Sequence, residues 1–344
     1  MKIQNNTNKN SFIKKIFIKI CRFLGYEIID QSNFDAPTQQ KKLDENLNVQ
    51  GKKSINLPLG ETKILRKVEA LTVIFRSCTN IHMLTQSKKR LFEKEKSEYT
   101  FRSLNSIIES IKLAKSTFSN IQFDIVISDY DSKNEHKNQL KHQLDKSNLK
   151  YSFVPVNIDE FKNNIKKINA KNEKVTENQI SNMSNIHNSL LYAKNNCKDL
   201  IYFVEDDYIH TKNSFKEIIL TYERISTQLN RELFLCPADY PYLYTKADPT
   251  NIFLGSEKHW RKVDETLCTF LTSKKMLEKH WKKLTSMCLY EHYPFEQPLH
   301  EIYNSEFCLS PIPSLAMHCT NINSIFGLAP NFDWKKIWEE NKNY

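Results

Sequence analysis

Glycine is scarce in this chain, since only 5 of its 344 residues are glycine. Loops that wrap closely around phosphates need glycine, because a residue without a side chain lets the backbone approach the ligand. Neither GxGxxG nor GxxxxGK[ST] occurs in the sequence. The Rossmann and P-loop modes of nucleotide binding are therefore excluded.

Paired cysteines and a secretory signal sequence are missing as well. The 8 cysteines stand singly along the chain, without a CxxC pair. This pattern predicts neither a zinc ribbon nor a disulfide framework. We therefore expect a reducing, cytoplasmic location.

Hydrophobic residues make up 40% of the chain, which is enough for one large domain and an appendage. The formal net charge of +10 is compatible with nucleic acid, an anionic membrane or phosphorylated substrates as partners. Residues 1–65 contain 11 Lys/Arg and 6 Asp/Glu, so half of the excess charge lies there. That half of the charge lies outside the predicted catalytic body.

Residues 1–30 are predicted to contain a basic amphipathic helix. Its apolar residues follow the i, i+3, i+4 spacing of one helix face, from Ile13 to Leu24, and lysines and an arginine lie between them. Such a helix could lie on an anionic membrane surface or dock on the protein's own body. Residues 31–65 are polar and show neither the spacing of apolar residues typical of a helix nor that typical of a strand. We therefore interpret them as a linker before a catalytic domain at 66–344.

Strand and helix patterns alternate from about residue 66 onward. The predicted strands are 69–78, 121–132, 150–157 and 200–205, and the predicted helices include 100–115 and 177–195. Helices between strands indicate an α/β fold with a mainly parallel central sheet flanked by helices. Substrates bind beyond the carboxyl ends of the strands in such sheets.

Three consecutive carboxylates, Glu205, Asp206 and Asp207, follow the strand LIYFV. Ser214 and Glu217 then resemble a capping box at the start of a helix. Clustered carboxylates repel one another unless a cation shares them, and oxygen ligands suit Mg²⁺ or Mn²⁺. The alternative is an acidic loop that faces solvent.

The segment LIYFVEDDYIHTKNSFKEII resembles the strand, acidic motif and helix of nucleotide-sugar glycosyltransferases with the A-type fold. Its EDD spelling is similar to that of eukaryotic N-acetylglucosaminyltransferase I. TVIFRSC occupies the place of the first nucleotide-binding strand of family 2 glycosyltransferases, and IVISDYDS resembles their second-strand VVDDGS segment. The resemblance covers about residues 68–320.

The resemblance implies roles for particular residues. Asp207 would bind the metal, together with Asp206 and with His318 from SPIPSLAMHC. The nucleotide would contact the first two strand ends, at Arg76, Ser77, Asp129 and Asp131. An inverting, metal-dependent sugar transfer is the activity implied.

Family 2 members also carry a late acidic residue that takes the proton from the acceptor hydroxyl. LYEHYPFEQPLHEIY offers Glu291 and Glu296, and we favour Glu296 because it precedes a clear helix. The resemblance implies an acceptor pocket between the acidic motif and this base. His259, Trp260 and Arg261 fit there, because sugars stack on aromatic faces and Arg binds phosphate. Trp260 as an ordinary core residue is the alternative.

The leading hypothesis is a glycosyltransferase that extends a surface glycan or glycolipid from a nucleotide-diphosphate sugar. A sugar nucleotidyltransferase is the enzyme alternative, but it usually has a Gly-rich loop near its N-terminus. A basic membrane- or nucleic-acid-binding protein is the non-enzymatic alternative. No nucleic-acid-binding motif occurs, so nucleic acid is not an expected partner.

Overall fold

The structure, a computed structural model, describes residues 12–26, 53–56, 60–80, 90–245 and 249–344. The chain divides into two compact units, residues 1–63 and residues 64–344. Most of the predicted linker lies outside the described residues. Its described part includes two short strands, which its polar sequence did not predict.

The first unit contains one helix and one strand pair within its described residues. The helix α1 is Phe12–Phe23, and the antiparallel strands are Lys53–Asn56 (β1) and Gly60–Lys63 (β2). Large apolar side chains of the helix are exposed, namely Phe12, Ile16, Phe17, Ile20 and Phe23. The predicted amphipathic helix is therefore present. No helix in the described part of the chain is long and apolar enough to cross a membrane.

The second unit contains the other helices and strands. Its helices are Lys96–Thr117 (α2), Asn134–Ser147 (α3), Glu177–Asn196 (α4), Ser214–Leu229 (α5), Lys274–Lys279 (α6), Trp281–Leu289 (α7), Gln297–Tyr303 (α8) and Trp334–Glu340 (α9). Its strands are Ala70–Ser77 (β3), Gln122–Asp129 (β4), Lys150–Pro155 (β5), Leu200–Glu205 (β6), Tyr208–His210 (β7), Phe234–Leu235 (β8), Ile252–Leu254 (β9), His259–Lys262 (β10), Phe270–Ser273 (β11), Cys308–Ile312 (β12) and Ala316–His318 (β13).

A 9-stranded sheet forms the centre of this unit, in the order β5-β4-β3-β6-β11-β8-β12-β10-β9. The first four strands are parallel neighbours, and only β10 and β11 run against the common direction. The predicted α/β class with a mainly parallel sheet flanked by helices is confirmed.

Strand β3 lies inside the parallel half of the sheet, and all of its residues are buried. Helices pack on both faces of such a strand, so its sequence is a run, ALTVIF, that is apolar except for Thr72 and does not alternate. The run ends in Arg76 and Ser77, and their register partners are Glu205 on β6 and Asp129 on β4. Hydrogen-bonded register thus brings the polar ends of three strands together.

The short strands β7 and β13 form a separate antiparallel pair just beyond the end of β6. Register places His318 opposite Tyr208, the residue after Asp207. The backbone N–H of Cys319 also donates to the carbonyl oxygen of Asp207, at 2.8 Å. Backbone pairing therefore brings a histidine more than a hundred positions away in sequence next to the three carboxylates Glu205, Asp206 and Asp207, which we call the acidic turn.

The predicted capping box at Ser214 is wrong. The Ser214 hydroxyl donates to the carbonyl oxygen of Leu315 at 2.7 Å, so it does not cap its own helix. Glu217 is buried and accepts from the Trp260 indole N–H at 3.1 Å and from the backbone N–H of Glu257 at 2.8 Å. Both side chains join α5 to neighbouring segments.

Candidate active site at the carboxyl ends of the strands

A cavity of about 450 Å³ opens at the carboxyl ends of the parallel strands. Its wall combines the acidic turn with residues from β3, from one face of α4 and from the segment before α8. Seven of the predicted site residues line it: Arg76, Ser77, Asp206, Asp207, Glu291, Glu296 and His318. Glu205 of the acidic turn lines it as well. Residues from eight separate stretches of sequence thus meet in one cavity.

Each carboxylate of the acidic turn has a basic partner. Glu205 lies 3.1 Å from Arg76 Nη2, and Asp206 lies 3.5 Å from Lys96 Nζ. Asp207 lies 3.2 Å from Arg90 Nη2. The fold tolerates three adjacent carboxylates because a separate basic side chain beside each one offsets their mutual repulsion. The alternative of an acidic loop facing solvent is wrong, since Asp206 and Asp207 are buried.

Asp206 is held by neutral donors as well as by Lys96. Its Oδ2 accepts from the backbone N–H of Cys78 at 3.2 Å and from the Thr100 hydroxyl at 3.0 Å. These contacts connect the acidic turn to the end of β3 and to the first turn of α2. They fix the orientation of the carboxylate.

Asp207 and His318 form the most strongly perturbed pair of the cavity. Burial alone would raise the pKa of Asp207, but the charges of His318 and Arg90 bring that pKa well below its usual range. Burial alone would lower the pKa of His318, and the Asp207 carboxylate raises it overall. The two side chains are 3.5 Å apart, between Asp207 Oδ2 and His318 Nε2.

The orientation of His318 is fixed by two contacts. Its Nδ1–H donates to the carbonyl oxygen of Phe326 at 2.8 Å, and its ring stacks on Tyr208 at 4.6 Å. A hydrogen bond from one ring nitrogen to a backbone carbonyl is typical of metal-binding histidines, because it turns the other ring nitrogen toward the metal. Here that nitrogen, Nε2, faces Asp207.

The residues of the acidic turn are compatible with a site for a divalent cation that takes only one or two ligands from the protein. The second oxygen of Asp207, Oδ1, is buried and has no hydrogen-bond partner. Within the described residues, no group of three or more His, Cys, Asp or Glu converges as a metal-binding cluster. Mg²⁺ and Mn²⁺ sites often have only one or two protein ligands, and substrate phosphates and water supply the rest.

Glu296 lines the same cavity, immediately before the first residue of α8. Burial, together with the nearby charge of Glu205, raises its pKa to about 7. Its carboxyl group contacts the Cys268 thiol, at 3.8 Å between Sγ and Oε1. A partly buried carboxyl with a pKa near neutrality can exchange protons with a ligand at physiological pH.

Glu291 is surrounded differently, although it also lines the cavity. Its carboxylate accepts hydrogen bonds from the side-chain amides of Gln179 and Asn169, the latter at 3.1 Å. Both oxygens are therefore engaged by neutral donors. This arrangement suits a fixed polar wall better than a proton acceptor, so the geometry favours Glu296 of the two predicted bases.

The residues predicted to contact the nucleotide lie in different surroundings. The Ser77 hydroxyl donates to Asp129 Oδ1 at 2.7 Å, and Asp129 is buried behind the cavity wall. Asp131 is exposed in a turn with a positive φ of 51° and accepts from the Asn80 amide at 3.0 Å. Neither aspartate lines the cavity, whereas Tyr130 between them does.

The predicted acceptor residues do not lie at the cavity. Trp260 is fully buried, and its indole N–H is bound by Glu217. Arg261 is buried in an ion pair with Asp239, and His259 is exposed on β10 near the opposite edge of the sheet. The acceptor assignment of these residues is corrected, because a core tryptophan has no face left for a sugar.

Trp260→Phe should therefore destabilise the protein without weakening ligand binding. The smaller ring leaves a gap in the core and removes the donor that satisfies Glu217, a combination that usually costs about 1–3 kcal/mol. We expect a lower midpoint of urea unfolding and an unchanged affinity for any nucleotide sugar that the protein binds. A tenfold loss of affinity at unchanged stability would restore the acceptor assignment.

Several residues of the site escaped sequence analysis. Arg90 and Lys96 carry the charges that offset Asp207 and Asp206, and Asn178 and Asn182 present amides to the cavity. Single lysines, arginines and asparagines are common in this chain and show no motif. Only the 3.6-residue period of α4 could have placed the two asparagines on one face.

No family model and no curated protein matches the chain. Solved structures give distant matches. Galactosyltransferase LgtC, in complex with donor and acceptor sugar analogues, is 11% identical over 79% of this chain and 95% of that chain, with a TM-score of 0.39. UDP-glucose pyrophosphorylase complexed with UDP-glucose is 7% identical over 80% and 97%, with a TM-score of 0.36.

Staphylococcus aureus TarS is 14% identical over 61% of this chain, with a TM-score of 0.33. The chain spans 29% of TarS and 65% of an active-site mutant of LgtC. At these identities and TM-scores the likeness assigns no function. The function has to be argued from the residues of the cavity.

Proposed function

We propose that this protein is a metal-dependent glycosyltransferase that moves a sugar from a nucleoside-diphosphate donor to a hydroxyl of a surface glycan or glycolipid. One observation carries the proposal: a carboxyl group with a pKa near 7, Glu296, shares a cavity with the buried acidic turn. Sugar transfer to a hydroxyl needs a group that accepts the hydroxyl proton and a site that binds the diphosphate leaving group. Glu296 and the acidic turn would supply these two parts.

The acidic turn forms the diphosphate end of the cavity in this proposal. Asp207 and His318 would hold Mg²⁺ or Mn²⁺, which neutralises charge on the leaving diphosphate when bound. Asp206, fixed by Cys78 and Thr100, is available to water or to donor hydroxyls. Arg76 and Ser77, at the end of β3, line the same part of the cavity and would contact the donor.

Glu296 supplies the base. It accepts the proton of the acceptor hydroxyl as that oxygen bonds to the anomeric carbon, and the bond to the diphosphate breaks on the opposite side. This displacement inverts the anomeric centre. Because the pKa of Glu296 is close to physiological pH, the carboxylate is populated in the resting enzyme and still has useful proton affinity.

A screen of nucleotide sugars tests the proposal. Thermal stabilisation by a nucleotide sugar in the presence of Mn²⁺, with metal-dependent release of the nucleotide, is the expected result, because ligands of the native state stabilise it. A nucleotidyltransferase would instead release pyrophosphate from a nucleoside triphosphate and a sugar 1-phosphate. That product, without sugar transfer or donor hydrolysis, would overturn the proposal in favour of this alternative.

The N-terminal helix is proposed to bring the enzyme to a lipid-linked acceptor at the inner face of the membrane. Residues 1–24 carry 6 Lys/Arg and no acidic residue, and the apolar side chains of the helix are exposed. Each basic residue near an anionic leaflet contributes about 1 kcal/mol, and salt screens this attraction. Charge and exposed apolar surface thus both favour membrane binding.

A chain beginning at residue 64 should therefore keep its fold and turn over donor with a soluble acceptor, yet lose membrane binding. We expect the full chain to sediment with vesicles that contain phosphatidylserine at low salt, less so at 0.5 M salt, and the shortened chain not to sediment. Vesicles of phosphatidylcholine alone are the control. Aggregation of the shortened chain, or indifference of the full chain to anionic vesicles, would contradict the membrane hypothesis.

A further inference from the structure

One wall of the cavity is a face of the helix α4 that is rich in side-chain amides. Four amide residues of this helix line the cavity: Asn178, Gln179, Asn182 and Asn185. Two of them are already engaged within the protein. Gln179 bridges Thr176 and Glu291, and both groups of the Asn185 amide bind Ser128.

The other two amides retain hydrogen-bonding capacity. Asn178 makes no side-chain hydrogen bond with any described residue, and Asn182 makes only one long contact, from Arg76 Nη1 to its Oδ1 at 3.5 Å. The two residues are four positions apart and hence lie on the same helix face. Each amide offers two donors and an acceptor, which match the paired donors and acceptors of neighbouring sugar hydroxyls.

The charges of the cavity point to an uncharged ligand at this wall. Among the described residues, the basic side chains that line the cavity are Arg76, Lys96 and His318, and each is paired with a carboxylate of the acidic turn. The two remaining carboxyl groups, Glu291 and Glu296, have no basic partner there. A carboxylated ligand would find no available cation and two nearby acids.

We propose that Asn178 and Asn182 bind a neutral, hydroxyl-rich sugar and that the cavity discriminates against uronic and other carboxylated sugars. This inference rests on the proposed function, since it names the class of sugar that the same site takes. The diphosphate binds at the other end, beside the acidic turn. Discrimination arises because the amides fit hydroxyls and because an extra negative charge beside Glu291 and Glu296 is repelled.

Matched ligand pairs test the proposal by calorimetry in the presence of Mn²⁺. The donor pair is UDP-glucose and UDP-glucuronate, with UDP alone as the reference. The acceptor pair is methyl glucoside and methyl glucuronide, added to protein saturated with UDP. We expect at least ~10-fold tighter binding of the neutral member in one pair. Preference in the donor pair assigns the wall to the transferred sugar, and preference in the acceptor pair assigns it to the acceptor.

Two variants link the preference to the amides. Asn178→Ala and Asn182→Ala should each lower the affinity for the preferred neutral ligand about 5- to 10-fold, the usual scale for one hydrogen-bonding group, and leave UDP binding unchanged. Asn196→Ala, at the exposed end of the same helix, is the matched control and should bind like the wild type.

Equal or tighter binding of the glucuronate in both pairs would overturn the inference. So would wild-type affinities of both cavity variants for the neutral ligand. If UDP and both UDP-sugars fail to bind, the affinities of methyl glucoside and methyl glucuronide are measured without nucleotide. Their comparison then shows whether the wall prefers the neutral or the carboxylated sugar. In that case transfer from a UDP-sugar is ruled out separately, and the screen of other nucleotide sugars decides the proposed transferase activity.

Discussion

Asp207→Asn is expected to lower metal-dependent donor turnover by at least ~10³-fold, because a bound metal contributes several kcal/mol of charge stabilisation in the transition state. The substitution hardly changes volume, but it removes the charge that Arg90 and His318 face. Metal affinity, measured directly by calorimetry with Mn²⁺, should fall as well. We expect the fold to persist with a lower unfolding midpoint, since Arg90 and His318 lose the buried carboxylate that faces them.

Asp264→Asn is the matched control, because Asp264 is an exposed aspartate whose only described partner is Lys262. It should leave both turnover and Mn²⁺ affinity unchanged. Full activity of Asp207→Asn would remove the metal assignment. Loss of turnover at unchanged Mn²⁺ affinity would mean that Asp207 acts through Arg90 and His318 rather than through a metal.

The architecture could be read from the sequence because a buried parallel strand has an unmistakable composition. Strand β3 is apolar except for Thr72 until Arg76, and strand β6 is apolar until Glu205. Both strands end in polar residues at the same edge of the sheet, as the order of strands and helices predicts. The position of the cavity followed from this edge. Both candidate bases and His318, which also line the cavity, were instead predicted from the family resemblance.

The predicted acceptor residues failed for a physical reason that sequence alone does not show. Trp260 and Arg261 form a pattern typical of a sugar-binding wall, but each has a buried partner, Glu217 and Asp239, in a distant segment. Periodicity cannot reveal such pairs. The same holds for Arg90, whose contact with Asp207 depends on the packing of loops around the sheet.

Glu296→Gln is the second variant with a large expected effect. Removing a general base usually costs ~10²- to 10⁴-fold in kcat, while donor affinity should change little because Glu296 is not among the proposed ligands of the metal or the diphosphate. Glu301→Gln, on the exposed face of the following helix, is the matched control. If Glu291→Gln shows the large effect and Glu296→Gln does not, the base is Glu291.

The pH dependence of the wild-type enzyme should report the same group. The pKa of Glu296 is raised to about 7, so kcat/KM should rise with pH up to about 7 and level off above it. The residual kcat/KM of Glu296→Gln should no longer rise with pH below 7. A wild-type profile that is flat between pH 5.5 and 8 would contradict the assignment.

Stability should show the opposite trend, because the pKa of Glu296 rises from 4.5 to about 7 on folding. Between these two values the folded chain binds more protons than the unfolded chain, so this group lowers stability as pH rises through that window. The loss is complete above pH 7 and amounts to at most about 3 kcal/mol.

Glu296→Gln should therefore be more stable than the wild type at pH 8 and similar to it at pH 4.5, as measured by urea unfolding. A variant that is less stable at pH 8 would show that the Glu296 carboxylate is stabilised in place, and a base with raised proton affinity would then have to be sought elsewhere in the cavity.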